Sequence, residues 1–183
     1  MKMFLLFTLI TGIVYPLIVT GLAQALFPGK ANGSMLWRNG RAVGSALIAQ
    51  SFDSTGYFYS RPSAISYNPL PSGGSNYGLT NAKLKQTADE RRQSFIFKNH
   101  LDSLTVVPSE MLFASASGLD PHISVKAALL QVNRVSTERK FTYDQKLKLL
   151  QLIKGQTEAP QFLCLGEERI NVLLLNLGVD TIQ

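Results

Sequence analysis

The chain has 183 residues, a formal net charge of +6 and a single cysteine. One cysteine excludes an internal disulfide framework. The basic residues are spread in small clusters without interleaved aromatics, so no nucleic-acid partner is expected; the charge reads as a solvated surface, with attraction to anionic lipid or an acidic partner as the second reading.

The first element is Met3–Phe27, which carries no charge between Lys2 and Lys30. Its 25 residues extend about 37 Å as a helix, enough to cross a ~30 Å hydrocarbon core with some tilt. Phe4, Pro16 and Leu26 fall within this transmembrane helix. Pro16, Gly12 and Gly21 are costly in a soluble helix and tolerated in a membrane one. The rival reading is a cleaved signal peptide, with Lys2 as a basic n-region and Ala23-Gln24-Ala25 as a small-x-small site. An apolar run longer than an h-region of roughly 7–15 residues favours an uncleaved anchor. Charge does not decide orientation, because the N-terminus and Lys2 oppose Lys30, Arg38 and Arg41.

The remaining 156 residues from Pro28 onward suffice for a domain with a real core. The reading is therefore α+β: a membrane anchor over residues 1–29, then a single mixed α/β domain over residues 30–183. Pro28–Ser34 is a turn-rich exit. Asn39-Gly40 between MLWR and RAV predicts a hairpin, since a type I′ turn needs positive φ at both positions. Ala46–Ala49 and Tyr57–Tyr59 read as short strands. Residues 60–79 hold three prolines and three glycines and form a long loop, expected to be ordered because Tyr67 and Tyr77 argue for packing.

Thr80–Lys98 reads as a helix capped by Thr80 or Asn81, with Leu84, Ala88 and Phe95 as its apolar stripe. Val106–Phe113 reads as a strand region, and residues 114–124 as a second special loop. Ser124–Ser136 has a helical period through Val125, Ala128, Leu129, Val132 and Val135. Thr142 and Gln145 form a capping box for a further helix, lined by Leu147, Leu150 and Ile153 and stopped by Gly155. Ala159–Leu165 is a loop and strand, in which Cys164 is expected to be a small buried hydrophobe. Arg169–Asn171 is extended, and Asn171 caps a short helix through Asp180.

Tests for catalytic chemistry are mostly negative. One cysteine with the separated His100 and His122 does not supply a zinc set. Ser115, Ser117, Asp120 and His122 lack the Gly-x-Ser-x-Gly elbow of a hydrolase, and no phosphate-binding Walker loop occurs. Ser72, Gly73, Gly74, Ser75 and Asn76 make either a tight turn or an anion-binding nest. Ser117, Gly118, Asp120 and Pro121 are expected to fix the start of the helix that follows. Gln131 and Arg134, three residues apart, are placed on the face opposite the apolar stripe, where they can meet a partner.

These segments resemble a known family in their order: TGIVYPL in the apolar span, then ANGS, GSALIAQSF, YFYSRPSA, YNP-x-x-SGGSN, ASASGLDPHIS, QVNRVS and INVLLLN. Together they are similar to the C subunit of the bacterial Kdp potassium-transporting P-type ATPase over almost the whole chain. The resemblance implies a single-pass inner-membrane protein with a cytoplasmic N-terminus and an extracytoplasmic domain, and with no catalytic or metal site. It implies partners: a potassium-translocating A subunit, an ATP-hydrolysing B subunit and a small F peptide. ATP and potassium are then handled by the complex, with no cofactor on this chain. The family is described as a catalytic chaperone that raises ATP affinity, with a glutamine proposed to touch nucleotide; Gln131, in QVNRV, is the matching position, with Arg134 beside it. The alternative class is a free-standing exported protein that binds an anion or another ligand, with Ser72–Asn76 as an anion site.

Overall fold

The computed structural model describes residues 1–162 and 164–182. It divides into two compact units, Met1–Leu47 and Ile48–Gln183. The chain is mixed α and β, headed by one apolar helix long enough to cross a membrane, as the sequence predicts.

In the first unit, α1 (Lys2–Leu9) and α2 (Tyr15–Leu26) are joined by a π-helical stretch, Ile10–Val14. Pro16 lies in the first turn of α2. It has no N–H to donate, and its ring crowds the carbonyl four residues earlier; the widened turn just upstream gives that carbonyl room. Thr8 and Thr11 donate to the carbonyls of Phe4 and Phe7 at 2.9 and 2.7 Å, so their hydroxyls are satisfied within the helix. None of the span is buried against protein. After the short helix α3 (Pro28–Ala31), β1 (Met35–Arg38) and β2 (Arg41–Ser45) form the expected antiparallel hairpin. Asn39 and Gly40 have φ of 50° and 75°, the positive torsions that a type I′ turn requires.

The second unit is built on helices. α4 (Ala82–Lys98) starts at Asn81, whose side chain accepts from the Lys83 amide. A 3-10 turn at Ser109–Met111 follows. β3 (His122–Ser124) leads directly into α5 (Val125–Glu138), then α6 (Tyr143–Gly155). β4 (Arg169–Asn171) pairs antiparallel with β3, in register His122 with Asn171 and Ser124 with Arg169, and runs into α7 (Val172–Val179). The caps explain where the helices begin. The Thr142–Gln145 capping box is present in both directions, and the Asn171 side chain accepts from Leu174 N. Ile123, Ile170, Val172 and Leu175 bring the ribbon and α7 onto Ala128, Val135, Leu149 and Ile153 of α5 and α6. Phe58, fully buried, enters the same core from an irregular segment.

Several expectations are corrected. Val106–Phe113 is not a strand; Pro108 has no amide to donate to a ladder and instead starts the 3-10 turn. Ala46–Ala49 and Tyr57–Tyr59 are irregular. Val125, Ala128, Val132, Val135 and Ile153 pack in or against the core as expected, whereas Leu129, Leu147 and Leu150 lie at the surface and Leu149 is buried in their place. Cys164 is exposed: its loop closes through a bridge between Gln161 and Leu165, and Phe162 and Leu165 are exposed beside it. Leu163, within the expected loop and strand Ala159–Leu165, lies outside the described residues. The helix expected from Ser124 begins there, but its cap is Ser124 and not Asp120: the Ser124 Oγ accepts from Ala127 N at 3.1 Å. Ser124→Ala is therefore expected to cost about 0.5–2 kcal/mol in urea unfolding of the detergent-solubilised chain.

Candidate functional site

Two assemblies in the second unit gather most of the polar residues singled out above. The first surrounds Thr55–Tyr59. This segment has no neighbouring strand among the described residues, yet its five successive carbonyls all accept side-chain hydrogen bonds. Arg134 Nη1 donates to the carbonyls of Thr55 and, at 2.9 Å, of Tyr57. Arg139 Nε donates to Gly56 O at 2.7 Å. Asn176 donates to Phe58 O at 3.0 Å and accepts from Phe58 N at 2.8 Å. Gln131 does the same for Tyr59, accepting from its amide at 2.7 Å and donating to its carbonyl at 3.4 Å. Each primary amide thus imitates one rung of a β-ladder.

Gln131 and Arg134 are 0% and 1% exposed, which corrects the expected solvent-facing pair. The physical reason is the demand of Thr55–Tyr59 for donors and acceptors, since buried peptide groups must be paired. Gln131 Oε1 also accepts from Arg134 Nη2 at 2.9 Å, and its Nε2 also donates to Ala127 O at 3.3 Å. Gln131 therefore has two partners at each end of its amide. Arg134 Nε donates to Asn99 Oδ1 at 2.9 Å, and its guanidinium lies 3.9 Å from the centroid of the Tyr59 ring. Burial pushes the Arg134 pKa down, opposed by Tyr59 and Glu138. Near the end of α7, Asp180 accepts from Arg139 Nη2 at 2.7 Å and from Tyr57 Oη at 3.2 Å, and Arg139 stacks on the Tyr57 ring.

The second assembly joins the two special loops. Gly73 N and Ser72 Oγ both donate to Ser117 O, at 3.2 and 3.1 Å. At least part of the Ser72–Asn76 motif is thus occupied as a strap onto the other loop. Gly74 passes close to Ala116: a Cβ there would sit 3.1 Å from its carbonyl oxygen. Gly118 has φ of 69°, and a Cβ would sit 2.5 Å from Ile65 Cγ1 and 2.9 Å from Gly73 O, so both torsion and space require glycine. Ser115 Oγ and Ser117 Oγ accept from the amides of Asp120 and Leu119. Ser75 and Asn76 belong to the same loop, Asn76 with positive φ.

Asp120 receives Arg61 Nη1 at 2.6 Å and His122 N at 3.0 Å, with His122 Nδ1 at 3.4 Å. Burial alone would raise its pKa. The hydrogen bonds from the His122 side chain and backbone and from Arg61, together with the Arg61 charge, outweigh burial and hold it at about 2. These residues border an open cleft of about 490 Å³, also lined by Glu110, Ser124 and Arg169. Ser124 Oγ donates to Glu110 while capping α5, so it is committed to structure. Both signs of charge face the cleft. Among the described residues, no three His, Cys, Asp or Glu side chains converge as a metal set.

The sequence reading missed Asn99, Arg139, Asn176 and Arg61. Asn176 carried a usable signal: a lone amide inside the apolar run VLLLNLGV marks a buried group that must be satisfied. Arg61 and Asp120 lie 59 positions apart, and no local pattern announces their pairing.

Comparison with known proteins decides the family. The family model described as KdpC, the K+-transporting ATPase c chain, matches residues 1–181. The chain belongs to the KdpC family. It is 46% identical over 180 residues to the potassium-transporting ATPase KdpC subunit of Leptospira interrogans, covering 98% of this chain and 90% of that one. The protein of the same name from Geobacter metallireducens is 46% identical, covering 97% and 93%; that from Pectobacterium atrosepticum is 45% identical, covering 97% and 92%. Likeness at this level runs through both units, so the apolar helix and the clamped domain belong to one family pattern.

Two outcomes test this account. Gln131→Ala strands both peptide groups of Tyr59, at about 1–3 kcal/mol per unsatisfied group; urea unfolding and faster hydrogen exchange at the Tyr59 amide are the readouts, and Arg134→Ala should be at least as damaging. Asp120 has a pKa lower in the folded state than the usual ~3.9, so its stabilisation is full above about pH 4 and is lost as pH falls towards 2. The stability gap between wild type and Asp120→Asn should be constant near neutrality and close over that acid range.

Proposed function

We propose that this KdpC-family chain is a membrane-anchored accessory subunit of an ATP-driven potassium-uptake pump. The observation that carries the reading is the family match over residues 1–181, which takes in the span-length helix Lys2–Leu26. One span with one small domain makes an anchor and a contact surface, and leaves ion passage and ATP hydrolysis to other chains. The partners in this reading are a potassium-translocating A subunit, an ATP-hydrolysing B subunit and a small F peptide. The N-terminus is cytoplasmic and the domain extracytoplasmic. The chain carries no catalytic site and no cofactor of its own; ATP and potassium belong to the complex.

An effect on the ATP affinity of the hydrolysing subunit, in this reading, travels through subunit contacts. Two considerations support an indirect route over a direct touch by Gln131. Its amide is occupied within the domain, and a domain on the outer face does not meet cytoplasmic ATP.

The experiment is genetic and biochemical together. In a strain lacking other potassium uptake systems, loss of this chain should abolish growth at micromolar potassium, and a tagged chain should copurify with the other pump subunits. The purified chain alone should hydrolyse no ATP. Normal growth of the deletion strain with the other subunits expressed would overturn the proposal, and purification without partners would favour a free-standing exported binding protein.

A further inference from the structure

The hairpin β1–β2 poses a question that the pump assignment leaves open. A two-stranded ribbon alone is marginal in water. Its apolar side chains have little cover: Met35 is 45% and Trp37 68% exposed, and Ser45 is the one buried residue among those described in Met1–Leu47. The charge pattern is one-sided. Lys2, Lys30, Arg38 and Arg41 are the only charged side chains before Asp53, the first acidic residue. Arg41 directly follows the turn at Asn39-Gly40, so it extends the basic character of the segment into the hairpin.

The hairpin is also tied to the end of the helix. The side-chain amides of Gln24 and Asn32 donate to each other at 3.3 and 3.2 Å. Asn32 Nδ2 donates to Pro28 O at 2.8 Å, and Ser34 N to Gly29 O at 2.9 Å. Ser45 Oγ then donates to Gly33 O at 2.7 Å, and Ala46 N to Ser34 O at 3.0 Å. Wherever α2 leaves the hydrocarbon, these bonds hold the hairpin within a few residues of that level.

We propose that the β1–β2 hairpin is a lipid-binding element: Trp37 lies in the interfacial layer of the leaflet where the chain emerges, and Lys30 and Arg41 bind anionic phospholipid headgroups. Indole favours that layer because one edge is apolar and its N–H is polar. Each basic side chain near an anionic surface adds an attraction that decays within a Debye length. The absence of any carboxylate before Asp53 makes the segment complementary to anionic lipid, whereas an acidic protein surface would satisfy the charges without requiring an interfacial indole. The inference rests on Lys2–Leu26 being a membrane span and not on the identity of the pump.

The chain contains one tryptophan, so in discs built with tryptophan-free scaffold protein the indole emission reports this site alone. Full-length protein would be reconstituted into nanodiscs of phosphatidylcholine, with or without phosphatidylglycerol, and quenched with iodide or with lipid brominated on the upper acyl carbons. The expected result is blue-shifted emission protected from iodide. Quenching by brominated lipid should be at least twofold stronger with phosphatidylglycerol, and that gain should vanish in the Lys30→Gln, Arg41→Gln double variant while helix content is unchanged. A water-like, iodide-accessible emission in both discs overturns the proposal. So does equal quenching in the two lipids, or shielding of Trp37 only when other pump subunits are added, which would make the hairpin a protein contact. If the chain fails to remain with the discs, the span itself is wrong and the proposal falls with it.

Discussion

The structure of the second unit depends on how Thr55–Tyr59 satisfies its backbone. Phe58 is buried in the core, so the peptide groups around it are drawn away from water, where an unpaired group costs more than an average hydrogen bond returns. Among the described residues, no strand lies alongside to pair them. Arg134, Gln131, Arg139 and Asn176, from α5, its C-terminal end and α7, do so instead. This makes the packing of α5 and α7 conditional on the same segment that plugs the core, and it explains a guanidinium at 1% exposure. Arginine suits the task because its planar fork can reach two carbonyls, two side-chain amide oxygens and a ring at once while keeping its charge. A lysine there would offer one point charge in place of the fork.

The helices and caps were legible in the sequence because their signals are local. Asn39-Gly40 specifies its turn by torsion. Asn81, Thr142 and Asn171 announce helix starts by a side chain that reaches amides two or three residues on. The apolar part of the inward face of α5 was legible, with Ala128, Val132 and Val135 in the core; its polar part was not, because hydrophobic periodicity assumes that polar residues point to water. Gln131 and Arg134 break that assumption, with partners 72 and 77 positions away for Tyr59 and Tyr57. The same blindness applies to Asp120. Its position before a helix suggested a cap, while its observed partner Arg61 lies across the fold. The cap role passed to Ser124 because three residues of strand intervene. Of the candidate site, the sequence therefore identified many of the participating residues and misplaced the surfaces on which they act.

The paired loops show a related economy. Ser72-Gly73-Gly74 and Ser115–Asp120 both look like ligand-binding sequences, rich in glycine and hydroxyls. Much of that chemistry is turned inward: Gly73 and Ser72 share Ser117 O, Ser115 and Ser117 accept neighbouring amides, and Gly118 leaves room for Ile65. Glycine here serves close approach of two backbones. The phosphate-cradling use of consecutive glycines places amides at the opening of a helix, and the residues after Gly74 continue as irregular loop.

The two units solve the problem of solvent in opposite ways. From Ile48 onward, the domain closes on its own core and meets the demands of a buried irregular segment with its own side chains, so its stability draws on contacts within itself. Met1–Leu47 does little of this. Its helix satisfies its backbone and the Thr8 and Thr11 hydroxyls internally, yet none of its span is buried against protein. Its hairpin carries an exposed indole and cations on a ribbon too small to stabilise itself. A helix of that composition takes hydrocarbon as its solvent, and a basic aromatic hairpin tied to its end takes the boundary layer. The physical division of the chain thus follows which environment completes each part: for the domain, its own interior; for the first 47 residues, the bilayer and its headgroups.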